Sequence, residues 1–186
     1  MNRRQRRRRA RVRRMLVLGP LLLSLGWYAA GLRLPAGHRE EASALLPGSR
    51  ETVWAVLMDL DAMPSWRPDV VAVERLPDAG GAVRWLEIGR GERLPLERIE
   101  AVALERLVVR ALGARDRRRW TYRLEPSGVD VLLSVVEERQ LPVFARPYAA
   151  LFGADRRRIE TMVRGLVDRV GGVRQVAAGW RAQSRR

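Results

Sequence analysis

The stretch "VWAVLMDLDAMPSWRPDV", residues 53–70, starts as a helix, meets a proline, and then sets a tryptophan just ahead of a second proline. Upstream, Ser49 stands where an N-cap belongs, and Glu51 places a negative charge in the first turn. Val53, Trp54 and Leu57 then share one side of a helix over "RETVWAVLM". Pro64 and Pro68 forbid a regular continuation. The stretch therefore predicts a helix, an irregular turn or short second helix, and a strand beginning at "DVVAVERL" (69–76).

On the N-terminal side, "REEASALL" (39–46) alternates weakly as a strand and the turn "PGS" separates it from the helix. Downstream come "AVRWLEI" (82–88), "RLPLERIEAV" (93–102), "ERLVVRAL" (105–112), "RRRWTYRLE" (117–125) and "VDVLLSVVEERQ" (129–140). Short strands joined by brief turns predict an antiparallel meander. The last element reads as one long amphipathic helix over 143–171. Phe144, Tyr148, Leu151, Phe152, Ile159, Met162, Val163, Leu166 and Val170 fall on its apolar arc. Asp155 also projects onto that arc, either because Gly153 breaks the helical phase or because a polar group faces a cavity.

The chain carries a formal charge of +15, all of its basic residues are arginine, and it has no cysteine. Disulfides and cysteine-based metal sites are thereby excluded. The charge is unevenly spread. Residues 1–14 hold nine arginines and no acid, and 174–186 hold four and no acid, whereas 33–173 carry 23 arginines against 21 acids. Basic ends on a nearly neutral body do not make a nucleic-acid groove, so no nucleic-acid partner is expected.

Residues 15–32, "MLVLGPLLLSLGWYAAGL", carry no charge. As a helix they span about 27 Å, near the lower limit for a bilayer core of about 30 Å. Trp27 and Tyr28 stand near the far end, as interfacial aromatics would. The expectation is a transmembrane anchor with the 1–14 tail cytoplasmic and the remainder outside, as in a single-pass protein of a bacterial inner membrane. The alternative is a cleaved signal peptide, although "YAAGLRLPAG" offers no clean A-x-A site. The organisation is then a tail (1–14), an anchor (15–32), a linker (33–38), a domain (39–172) and a basic tail (173–186).

The order strand, helix, Trp-Pro kink, six strands and long helix resembles the START-like superfamily, also called SRPBCC, in its polyketide cyclase/dehydrase and lipid-transport branch. The matching positions are Val53, Trp54, Leu57, Asp59, Pro64, Trp66, Pro68 and Val70, with a later "WxYxLEP" at Trp120, Tyr122, Leu124, Glu125 and Pro126. The resemblance covers about 39–172. It implies an α+β helix-grip fold: a curved antiparallel sheet of six to seven strands around the C-terminal helix. It also implies a cavity for lipids, sterols, polyketides or other apolar molecules, with Trp66 near the mouth.

Candidate cavity residues are Trp66, Trp85, Trp120, Tyr122, Leu133, Tyr148, Phe152 and Met162. To these strand parity adds Arg98 and Glu100, which share a side with Leu94 and Leu96 and form a possible inward polar pair. Catalytic signals are poor. The sole histidine, His38, lies in the linker, so Ser-His-Asp and Cys-His arrangements lack their parts, and no catalytic residue, metal or cofactor is assigned. "GRGER" (89–93) lacks a P-loop lysine and reads as a hairpin turn. The leading expectation is a membrane-anchored module that binds a lipid-like or other hydrophobic molecule. The alternatives are an aromatase/cyclase-type enzyme using Tyr122, Arg98 and Glu100, and a non-ligand envelope scaffold.

Overall fold

A computed structural model describes residues 3–113, 117–152, 154–171 and 176–177, with side chains except at 3–17, 152, 154–156 and 176–177. The elements run α1 (Arg3–Arg33), β1 (Gly37–Pro47), α2 (Arg50–Met58), α3 (Met63–Trp66), β2 (Val70–Ala79), β3 (Ala82–Gly89) and β4 (Arg93–Val102). They continue with β5 (Arg106–Ala111), β6 (Arg119–Ser127), β7 (Asp130–Gln140), a 3-10 turn (Val143–Ala145), α4 (Arg146–Phe152), α5 (Ala154–Val170) and β8 (Val176–Ala177). Contacts divide the chain into two compact units, residues 1–36 with 141–152, and residues 37–140 with the segment from 153 onward.

The second unit is an α+β arrangement around one antiparallel sheet ordered β2-β3-β4-β5-β6-β7-β1-β8. Seven strands are long, and two-residue β8, in the segment expected to be a tail, pairs with Ser43 and Ala44 at the edge. Alternation sorts the strands as their sequences require. Ala42, Ala44 and Leu46 of β1, Trp120, Tyr122 and Leu124 of β6, and Val131, Leu133 and Val135 of β7 are buried on one face. Ile159, Met162, Val163, Leu166 and Val167 of α5 complete that core, so this helix grips the sheet as expected.

Ser49 caps α2, its hydroxyl accepting from the Thr52 amide at 3.4 Å. α3 holds Pro64 in its first turn, where the missing N–H costs nothing, and Asp59 accepts from the Ala62 amide just before it. This short helix lies so close to α5 that a Cβ at Gly165 would overlap the Trp66 carbonyl oxygen. The 53–70 stretch is thus locked onto the gripping helix through the one residue type that lets two backbones touch.

One expectation needs correction. The 143–171 segment is not one helix; a 3-10 turn and α4 precede residue 153, and α5 follows it. Pro142 and Pro147 set that irregular start, and Phe144, Tyr148 and Leu151 are exposed rather than gripping the sheet. Asp155 lies outside the described side chains. Residues 15–32 do lie in a single helix, but among the described residues no helix is long and apolar enough to cross a membrane.

Candidate functional site

Within the second unit a cavity of about 30 Å³ lies between the α2–α3 stretch and the inner face of the sheet. Leu57, Met58, Leu60, Met63 and Trp66 form one wall, and Trp85, Leu96, Leu107, Val109 and Trp120 form the other. Arg67, Glu87, Arg98 and Tyr122 bring polar groups to this apolar space. At about 10–15 Å³ per water, the cavity has room for about two waters.

Arg67 is buried and fully engaged. Its guanidinium donates to Glu87 at 2.9 Å and to Asp69 at 2.7 Å, and Glu87 also accepts from the Trp85 indole at 3.3 Å. Burial pulls the Arg67 pKa down, but Glu87 and Asp69 outweigh it and the net shift is upward. Asp69 feels burial in the opposite sense, and the Arg67 hydrogen bond nevertheless holds its carboxyl below the usual range. Arg67 and Glu87 also line an open polar groove of about 370 Å³ that includes Arg90, Glu92 and Arg158. The buried ion pair therefore partitions the apolar cavity from a charged surface groove.

Tyr122 is buried, its hydroxyl donating to Met162 Sδ at 3.5 Å. Burial pushes its pKa up, with the Arg67 charge opposing, so the phenol stays protonated at neutral pH. It can donate a hydrogen bond and cannot serve as a general base there. The Trp120 indole donates to Glu137 at 3.1 Å. The Trp66 indole N–H is buried and has no hydrogen-bond partner among the described residues. Among the described residues Arg98 makes one long contact, to Met58 Sδ at 3.7 Å.

Of the residues singled out from sequence, Trp66, Trp85, Arg98, Trp120 and Tyr122 line the cavity. Glu100 does not. The register of β4 against β5 slips between Arg98, opposite Val109, and Glu100, opposite Val108. This bulge sends Glu100 to the other face, where it pairs with Arg106 beside Val108 and Val136. The expected inward pair is split, leaving Arg98 without the acid. Leu133 and Met162 do not line the cavity: Leu133 is fully buried core, and Met162 Sδ accepts from the Tyr122 hydroxyl. Tyr148 belongs to the other unit and is exposed, and the Phe152 side chain lies outside those described.

Sequence reasoning passed over Arg67 and Glu87. The alternation of Trp85 and Glu87 along "RWLEI" was the available signal, since it puts a carboxylate on the tryptophan's face. His38 sits on β1 with Nε2 3.1 Å from a Glu40 oxygen. Among the described residues no group of three or more histidines, cysteines or carboxylates could hold a metal ion.

A curved sheet gripped by α5 over a small apolar cavity is an arrangement shared with solved structures. The fold is START-like. A START superfamily protein from Mycobacterium smegmatis superposes with a TM-score of 0.58 at 18% identity, over 72% of this chain and 97% of that one. The Zhui aromatase/cyclase from Streptomyces sp. R1128 gives 0.59 at 16%, over 74% and 99%. The protein TTHA0849 from Thermus thermophilus gives 0.59 at 19%, over 72% and 97%. At these identities the likeness is one of fold. No protein-family model matches the chain, and no curated protein sequence does either.

Proposed function

We propose that this START-like unit binds a small hydrophobic molecule that carries a hydrogen-bond acceptor, held between the α2–α3 stretch and the sheet. The observation that carries the reading is the Trp66 indole N–H, buried in the wall of an apolar cavity with nothing among the described residues to donate to. Such a group costs about 1–3 kcal/mol unless a ligand or water accepts from it. Arg98, whose partner among the described residues is a thioether, supplies a second donor to the same space. A ligand larger than two waters requires the cavity to widen. Met58 and Met63, unbranched and adaptable, are the wall residues that can repack.

The test is to titrate the full chain with a fluorescent fatty acid and to analyse molecules co-purifying with it by mass spectrometry. Trp66→Phe keeps the ring and removes the donor, so it should weaken probe binding about five- to tenfold, the worth of one hydrogen bond. A parent chain that binds no probe and carries no small molecule would sink the reading.

The aromatase/cyclase reading is favoured by the likeness in fold to aromatase/cyclases, the Zhui enzyme among them. With Glu100 on the far face, Tyr122 and Arg98 would have to act through hydrogen-bond donation alone. Turnover of a poly-ketone substrate that Tyr122→Phe abolishes would establish it. Attachment of α1 to a membrane, with residues 1–14 cytoplasmic and the START-like unit on the outer side, is part of the same proposal. It is supported by the arginine bias of the sequence, and a cytoplasm-only reporter at the C-terminus that stays active would reverse the orientation.

A further inference from the structure

The 3-10 turn and α4 belong with α1 and were expected to belong to the gripping helix. The Trp27 indole donates to the Phe144 carbonyl at 2.9 Å, and the Tyr28 and Phe144 rings lie 5.2 Å apart. Arg146 donates to the carbonyls of Gly31 and Leu34 at 3.2 and 3.3 Å, satisfying acceptors at the end of α1. The chain passes so close that a Cβ at Gly31 would overlap the Val143 carbonyl oxygen. These contacts hold the segment in one orientation, and in it Phe144, Tyr148 and Leu151 are 58%, 54% and 69% exposed. Tyr148 and Leu151, spaced i and i+3, share one side of α4, and Phe144 stands in the 3-10 turn just before it. On α1, Leu21 and Leu25 are each 62% exposed.

We propose that residues 143–151 form a membrane-contact element, which seats Phe144, Tyr148 and Leu151 at the surface of an anionic bilayer beside α1. Large apolar side chains exposed on two packed segments of one unit mark an interaction surface. Charge selects the partner. Residues 1–36 and 141–152 together contain eleven arginines and no aspartate or glutamate. A second copy of this unit would bring cations against cations, whereas anionic headgroups complement both the arginines and the apolar side chains. Trp27, Tyr28 and Tyr148 are the amphipathic aromatics that favour a membrane interface. The inference goes beyond ligand binding, and it holds whether α1 crosses the bilayer or lies on it.

The chain lacks cysteine, so single-cysteine labelling is clean. Leu151→Cys and Val129→Cys, the latter at an 89% exposed position of the other unit, are labelled with an environment-sensitive fluorophore in the full chain. Each is mixed with phosphatidylcholine–phosphatidylglycerol vesicles containing nitroxide-labelled lipid. The label at 151 should shift to the blue and be quenched at least about threefold more than the label at 129, because an interfacial helix buries its apolar face in the headgroup–acyl boundary. Vesicle binding with equal quenching at the two sites overturns the element while leaving membrane attachment by α1 standing. Failure to bind vesicles overturns both. A blue shift at 151 without lipid quenching, in a dimer, assigns the face to a second copy instead.

Discussion

Leu21 and Leu133 are the same side chain in opposite circumstances. Leu133 is fully buried, between β6 and β1 and within the core that α5 covers, while Leu21 on α1 is 62% exposed. The contrast extends to the units that hold them. In the START-like unit each apolar face finds another, sheet against helix, and acids offset the arginines. In the α1–α4 unit several large apolar residues, Leu21, Leu25, Phe144, Tyr148 and Leu151 among them, are exposed, and no acid offsets the cations. An apolar run therefore predicts a core only where a second apolar face exists to receive it; otherwise it predicts a surface that meets something else.

The contrast is most exposed to test at the buried charges of the START-like unit. Arg67→Ala leaves Glu87, 7% exposed, without its cation, and should cost about 3–5 kcal/mol in a denaturant titration. Restoring most of that loss with Glu87→Gln in the same chain would confirm that the unpaired charge is the cause. A loss under about 1 kcal/mol would mean that the pair is solvated, as surface pairs are.

Leu133→Ala and Leu21→Ala then compare the two leucines directly. The first should cost about 2–5 kcal/mol through lost burial and a cavity. The second should stay within about 0.5 kcal/mol in detergent-free buffer. Equal losses would show that Leu21 has a protein partner and would erase the distinction between the units.

Acid should weaken the START-like unit through Asp69 and Glu97. Asp69 is lowered by Arg67 against the effect of its burial, and Glu97 by hydrogen bonds from Arg84 and Arg110. A carboxylate depressed in the folded state stabilises it fully above the unfolded pKa of about 4, and that stabilisation disappears as pH falls through the lower folded value. Melting temperature should therefore be flat from pH 7 to about 5 and fall below about 4. Arg84→Met with Arg110→Met, which removes both partners of Glu97, should shrink the fall, and an unchanged acid limb would assign it to other groups.

The smallest expected effect is Trp66→Phe on stability itself. Removing a donor that has no acceptor among the described residues should leave stability unchanged or raise it by up to about 1 kcal/mol, even as it weakens ligand binding. A clear destabilisation would show that the N–H is satisfied in solution by bound water.

Most of the START-like unit was legible in local sequence pattern. The capped helix at 50–58, the proline-set turn, the alternating strands and the 3.6-residue periodicity after 157 are local features, and local features dictate which face of an element must be buried. Five of the cavity-lining residues followed from strand alternation and the proline turn for the same reason. The remainder depended on contacts between distant segments. The bulge after Arg98 reversed the side of Glu100, because one extra residue in a strand flips every later side chain, and nothing in "LERIEAV" announces it. The partners of Arg67 stand at 69 and 87, and the second distance is fixed only when β3 folds beside the proline turn. Residues 143–151 form a segment that two surfaces could have received. The close approach at Gly31 and the Trp27 and Arg146 hydrogen bonds, all between segments more than a hundred residues apart, gave it to α1.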